Sequence, residues 1–129
     1  MLLDTHVVLW LLGNDPNFGE EERDRVRRAT VVHVSAASVW EIAIKTELGK
    51  LEVPGDLLER IAHAGLVQLP VTGEHSWATR DVTGLPHRDP FDRLLVAQAR
   101  LERLALLTAD RALLGTDLGP DLTIVDARA

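Results

Sequence analysis

Five short apolar runs, none long enough to make a helix alone, set the terms on which this chain can fold. They are residues 1–4, "VVHVS", "LVQLPV", "LALLT" and "LTIVD". Their brevity and their leucine and β-branched content read as buried strands. Between them lie stretches with helical signals. "THVVLWLLGN" closes on Gly13 or Asn14. "EEERDRVRRA" carries acids early and arginines late, as the helix dipole favours. "SAASVWEIAIKTELGKL" begins at Ser35, or at Ser38 with Glu41 three residues on as a capping box, and ends near Gly49. Pro54-Gly55 reads as a turn, "DLLERIAHAG" as a helix, and residues 73–82 as a short helix around Trp77. After the loop "TGLPHRDP" comes a helix over "HRDPFDRLLVAQARL", with apolar spacing at Leu94, Leu95, Ala97 and Leu101. A helical turn begins near Asp110, and "GTDLGP" is a loop. Strands alternating with helices predict an α/β sandwich around a mostly parallel sheet. With neither repeat nor linker, residues 1–129 read as one domain.

Composition removes several functions. No stretch approaches the roughly 18 uninterrupted apolar residues of a membrane span. The apolar N-terminus is interrupted by Asp4 and His6 and lacks a basic leader, so no signal peptide is expected. There is no cysteine, hence neither disulfide nor thiolate zinc site, which fits a cytoplasmic protein. The net charge of −6 argues against a nucleic-acid coat protein, which is basic. It leaves room for a nucleic-acid enzyme whose acids gather at a metal site, and for a basic protein partner.

The placement of those acids is the informative pattern. In open parallel sheets, ligands bind outside the carboxyl ends of the strands. Asp4 closes the first strand, and Asp110 follows "LALLT" by two residues. Glu41 lies early in the helix leaving "VVHVS", and Asp92 in the first turn of the helix before "LALLT". Asp4, Glu41 and Asp110 belong near one edge of the sheet, and Asp92 joins them if its helix starts there, after the loop ending at Pro86. Each has an ordinary alternative: Asp4 an Asx turn, Glu41 half a capping box, Asp92 a dipole partner, Asp110 a helix cap. Together on one dry edge they repel one another unless a cation compensates them. Oxygen donors without cysteine suit Mg²⁺ or Mn²⁺, and such ions catalyse phosphodiester hydrolysis. Asp89, before Pro90, reads first as an N-cap and second as a further metal ligand. Trp10, Trp40 and Trp77 read as core anchors. The five histidines are scattered without ligand spacing, so no zinc site is expected. Lys45 faces Glu41's groove or pairs with Glu41 or Glu47.

"LLDTHVVLWLL", "SAASVWEIAIKTELGKL", "HRDPFDRLLVAQA" and "LLTADRALL", in this order, resemble PIN-domain proteins, and within them the VapC toxins of toxin–antitoxin pairs. The likeness spans nearly the whole chain. It implies a three-layer α/β/α fold and Mg²⁺- or Mn²⁺-dependent endoribonuclease activity on structured RNA such as transfer or ribosomal RNA. It carries the acidic set over to Asp4, Glu41, Asp92 and Asp110, with Asp4, Asp92 and Asp110 as metal ligands and Asp89 in support. Thr5 and Thr108 match hydroxyl positions that orient a carboxylate. The resemblance also implies a homodimer silenced by a VapB-like antitoxin. Many relatives carry another acid after the "TADR" turn; here the next is Asp117, beyond Gly115. Proximity in sequence makes Lys45, Arg88, Arg93 and Arg111 candidates for RNA contact. Three other readings stand beside this one: a housekeeping RNA-processing or DNA-structure nuclease of the same fold, a receiver domain, and a non-catalytic binding module. A receiver domain needs a lysine after a late strand, where this chain has Ala109 and Asp110.

Overall fold

A computed structural model describes residues 1–53 and 55–128. The five apolar runs form five strands: β1 Leu2–Leu3, β2 His33–Ser35, β3 Val67–Leu69, β4 Leu106–Thr108 and β5 Ile124–Asp126. They pair in the order β3-β2-β1-β4-β5, and every pairing is parallel. The helices are α1 Thr5–Gly13, α2 Glu20–Arg28, α3 Ala36–Glu47, α4 Leu57–His63, α5 Gly73–Ala78, α6 Pro90–Glu102 and α7 Arg111–Leu114. A single 3₁₀ turn, Thr79–Asp81, extends α5. The turn expected at Pro54-Gly55 falls on Pro54, outside the described residues.

Successive strand residues point to opposite faces, so each face carries its own core. Leu2 and Leu106 pack with Leu95, Val96, Ala99 and Leu113 on the side of α6 and α7. Leu3 and Leu107 pack with Val7, Val8, Val34 and Ile61 on the side of α1 and α4. The result is the three-layer α/β/α arrangement, with a sheet that is parallel throughout rather than mostly so. The chain runs from β1 outward through β2 to β3, then crosses back to place β4 on the other side of β1. The direction of winding therefore reverses between β1 and β4. A crevice opens at the carboxyl ends of two strands where such a reversal occurs.

One local alternative is decided and one expectation is corrected. Helix α3 starts at Ser35, whose hydroxyl accepts from the Ala37 N–H at 3.0 Å; there is no Ser38–Glu41 capping box. Ser38 and Glu41 are instead turned toward Thr5. Ser35→Ala is expected to cost about 1 kcal/mol, read by denaturant unfolding. Nor are all three tryptophans core anchors. Trp10 is partly buried against the α1 side of the core, but Trp40 is 63% exposed and Trp77 67%. The buried side of α3 is set by Ala37, Ser38 and Ile42, and at 100° per residue Trp40 falls on the far side. It meets Phe91 edge-on at 5.4 Å, while Trp77 lies under the Arg80 guanidinium at 4.1 Å.

Candidate functional site

Asp4 leaves β1 and opens α1. Its N–H donates to the Leu107 carbonyl of β4 at 2.9 Å, which anchors it at the β1–β4 reversal. One carboxylate oxygen accepts from the Thr5 N–H at 2.7 Å and the other from the Thr108 hydroxyl at 2.6 Å. The residue is only 4% exposed. Burial pushes its carboxyl above the ordinary range, against the pull of the Thr108 hydroxyl and the Thr5 N–H.

The other acids come to the same place from separate elements. Asp110 follows β4 and caps α7, its Oδ1 accepting from the Ala112 and Leu113 N–H groups at 2.7 and 3.3 Å. Its own N–H donates to the Thr108 hydroxyl at 3.0 Å, so Thr108 links Asp4 to Asp110. Glu41 comes from α3. Its Oε1 accepts from the Thr5 hydroxyl at 2.7 Å, and its Oε2 pairs with Lys45 one turn on at 2.9 Å. Thr5 also lies 2.9 Å from the buried Ser38 hydroxyl. Asp89 is the N-cap of α6, accepting from Phe91 and Asp92 N–H at 2.9 and 3.5 Å, with Pro90 at the first helical position. Ordinary capping thus accounts for one acid of the "DPFD" turn.

Asp92 is the acid on which the others act. It is buried in the first turn of α6, and its carboxyl is pushed up to about 8. Burial is the largest cause, followed by the charges of Asp4, Asp89, Asp110 and Glu41. Asp4, Glu41 and Asp110 are therefore close enough for their charges to act on Asp92. The tightest grouping is not the predicted Asp4, Asp92 and Asp110. His87, Asp92 and Asp110 each present an atom within 4.8 Å of the others, and His87 Nε2 lies 3.3 Å from Asp92 Oδ2. His87 is the residue that sequence reasoning missed. A lone histidine in a loop has no spacing to betray it; its one signal was its position two residues ahead of the capping Asp89.

The predicted basic contacts divide. Lys45 is held by Glu41, and Arg93 donates to the Thr79 carbonyl at 2.8 Å. Arg88 and Arg93 line a cavity of about 500 Å³ with Ser76, Thr79, Pro90 and Leu94, beside α5 rather than among the acids. Arg88 and Arg111 are exposed. Asp117 is exposed and accepts from the Gly119 N–H in its own loop at 3.0 Å, away from the acid cluster's bonds.

Among the described residues, no lysine or arginine lies within ion-pair distance of Asp4, Asp92 or Asp110. Adjacent carboxylates without a counter-charge favour a bound cation or retained protons. Carboxylate oxygens, one imidazole nearby and no thiolate make a donor set that suits Mg²⁺ or Mn²⁺. The residues present fit such an ion.

Comparison with known proteins bears on the fold. The family model described as PIN domain matches residues 1–117. No curated protein matches the chain. Among solved structures it is similar to DNA-bound VapBC from Salmonella typhimurium, at TM-score 0.70 and 20% identity over 97% of this chain and 96% of that one. It is similar to VapBC2 from Rickettsia felis bound to a promoter DNA fragment, at 0.68 and 11% over 97% and 96%. A toxin-antitoxin complex from Klebsiella pneumoniae matches at 0.58 and 19% over 95% and 94%. Among the described residues no helix is long and apolar enough to cross a membrane.

Proposed function

The chain belongs to the PIN domain family, and from that premise we propose that it is a Mg²⁺- or Mn²⁺-dependent endoribonuclease, the toxin of a type II toxin–antitoxin pair. The observation that carries the reading is the convergence of Asp4, Glu41, Asp92 and Asp110 at the β1–β4 reversal, with no lysine or arginine among the described residues paired to Asp4, Asp92 or Asp110. The likeness to toxin–antitoxin complexes supports the choice among nuclease roles.

Asp92 and Asp110 are assigned to hold the ion, with Asp4 beside them. A divalent cation there supplies water activation and charge neutralisation for in-line hydrolysis of a phosphodiester. The chain's own part is to hold the donors in place. Thr108 and the Thr5 N–H fix Asp4, and the α7 N-terminus fixes Asp110. Glu41, oriented by Thr5 and Lys45, faces the same crevice from α3 and is assigned to orient the attacking water. No side chain needs to act as a nucleophile. Phosphate contacts fall first to the exposed Arg88 and Arg111, since Arg93 and Lys45 already hold protein partners. The silencing partner is an antitoxin of VapB type, which would place an arginine fork among these carboxylates. A homodimer is part of the same reading.

The test is to sequence RNA ends after a short pulse of expression in cells. A few discrete new ends within structured transfer or ribosomal RNA are expected, and none from Asp4→Asn. Unchanged RNA ends with wild-type protein, or the same ends with Asp4→Asn, would count against the reading.

A further inference from the structure

His87 stands where a metal ligand could stand. Its Nε2 is within 4.8 Å of ligand atoms on Asp92 and Asp110. Its other ring nitrogen decides the matter. Nδ1 accepts a hydrogen bond from the Asp89 N–H at 3.2 Å. A nitrogen that accepts carries no proton, so in the neutral ring the proton sits on Nε2. A histidine that binds metal through Nε2 has the opposite pattern: its Nδ1 carries the proton and donates it to a carbonyl or carboxylate. The Asp89 N–H cannot receive that proton. It is fixed in place by the same residue whose side chain caps α6. Nε2 instead lies 3.3 Å from Asp92 Oδ2, within ion-pair distance.

We propose that His87 is a positioning residue, not a ligand: its Nε2, 3.3 Å from Asp92 Oδ2, fixes the carboxylate that would hold the cation. This rests on the metal-dependent reading above. The "HRD" tripeptide then has a joint purpose. Asp89 caps the helix that carries Asp92, and its backbone N–H sets the tautomer of the histidine that orients Asp92. His87 is half-buried in a loop before α6, so replacing it leaves both faces of the core intact.

Three measurements test it. NMR of the imidazole nitrogens in isotope-labelled wild type reads the tautomer with and without Mg²⁺. Titration calorimetry reads Mn²⁺ affinity for wild type, His87→Ala and His87→Gln. The expected results are a protonated Nε2 in both NMR states, and an Ala variant weakened roughly 10–100-fold in Mn²⁺ binding. Gln, whose amide nitrogen reaches the place of Nε2, should recover most of that loss. The electron-spin modulation of bound Mn²⁺ should show no directly coordinated nitrogen. A proton on Nδ1, a nitrogen bonded to Mn²⁺, or unchanged affinity in His87→Ala overturns the assignment. Wild type that binds no Mn²⁺ would overturn the functional reading and this role with it. Wild-type binding with unaltered His87→Ala affinity overturns this role alone.

Discussion

Asp92→Asn is expected to abolish RNA cleavage while raising the melting temperature of the metal-free protein. The loss of activity, on the order of 10³-fold or more, follows from removing one charged donor at the centre of the site. The gain in stability follows from the carboxyl being pushed up to about 8 in the fold, from an ordinary 3.8. Across that interval the native state binds a proton that the unfolded chain has released. Stability therefore falls as pH rises from about 4 to about 8, and the penalty is complete above the folded value. An amide carries no charge to penalise. In chelator near pH 8 the variant should melt higher by roughly 3–8 °C, and near pH 4 the two proteins should converge. Added Mn²⁺ should stabilise wild type more than the variant, because a ligand stabilises in proportion to its affinity for the native state. Wild-type cleavage should also stop in excess chelator. If the variant melted lower in chelator and gained as much from Mn²⁺ as wild type, Asp92 would be a structural part of the α6 turn alone.

Thr108→Val is expected to move stability in the opposite direction while also lowering activity. Thr108 is fully buried on β4, and its hydroxyl gives its proton to Asp4 Oδ2 and accepts from the Asp110 N–H. Valine fills the same space and makes neither bond. Asp4 keeps only the Thr5 N–H, and its carboxyl, already raised by burial, should rise further. A buried polar group left without its partner costs about 1–3 kcal/mol. Denaturant unfolding should show that loss with an unchanged slope, and metal affinity should fall roughly 10–100-fold. The contrast between the two variants is the sharper result. One removes a charge that the fold resents, the other a bond that makes a charge tolerable. Equal melting of Thr108→Val and wild type would mean that the hydroxyl does not support Asp4.

The sequence by itself determined the order and type of the elements, and hence the parallel sheet. Short apolar runs such as "LALLT" cannot bury themselves as helices, and stretches such as "PFDRLLVAQARLE" have the 3.6-residue period that strands lack. It also placed Asp4, Glu41 and Asp110 near the carboxyl edge, because strand ends and the helices leaving strands share that edge whatever the order of the strands, while the place of Asp92 depended on where its helix starts. Caps that depend on neighbours in the chain were legible for the same reason: Asp89 before Pro90, Asp110 before "RALL". Only the tertiary structure decided what depends on pairs distant in the chain. That β1 and β4 are neighbours, joining Asp4 to Thr108 across 104 positions, follows from the crossover and has no local signature. That Ser38 serves Thr5 rather than its own helix follows from the packing of α1 on α3. Trp40 faces outward because helix rotation is set by which side meets the sheet, not by the size of a side chain. His87 entered the site because the loop before α6 folds back on its own N-terminus, a matter of backbone geometry that a lone histidine in a sequence does not announce.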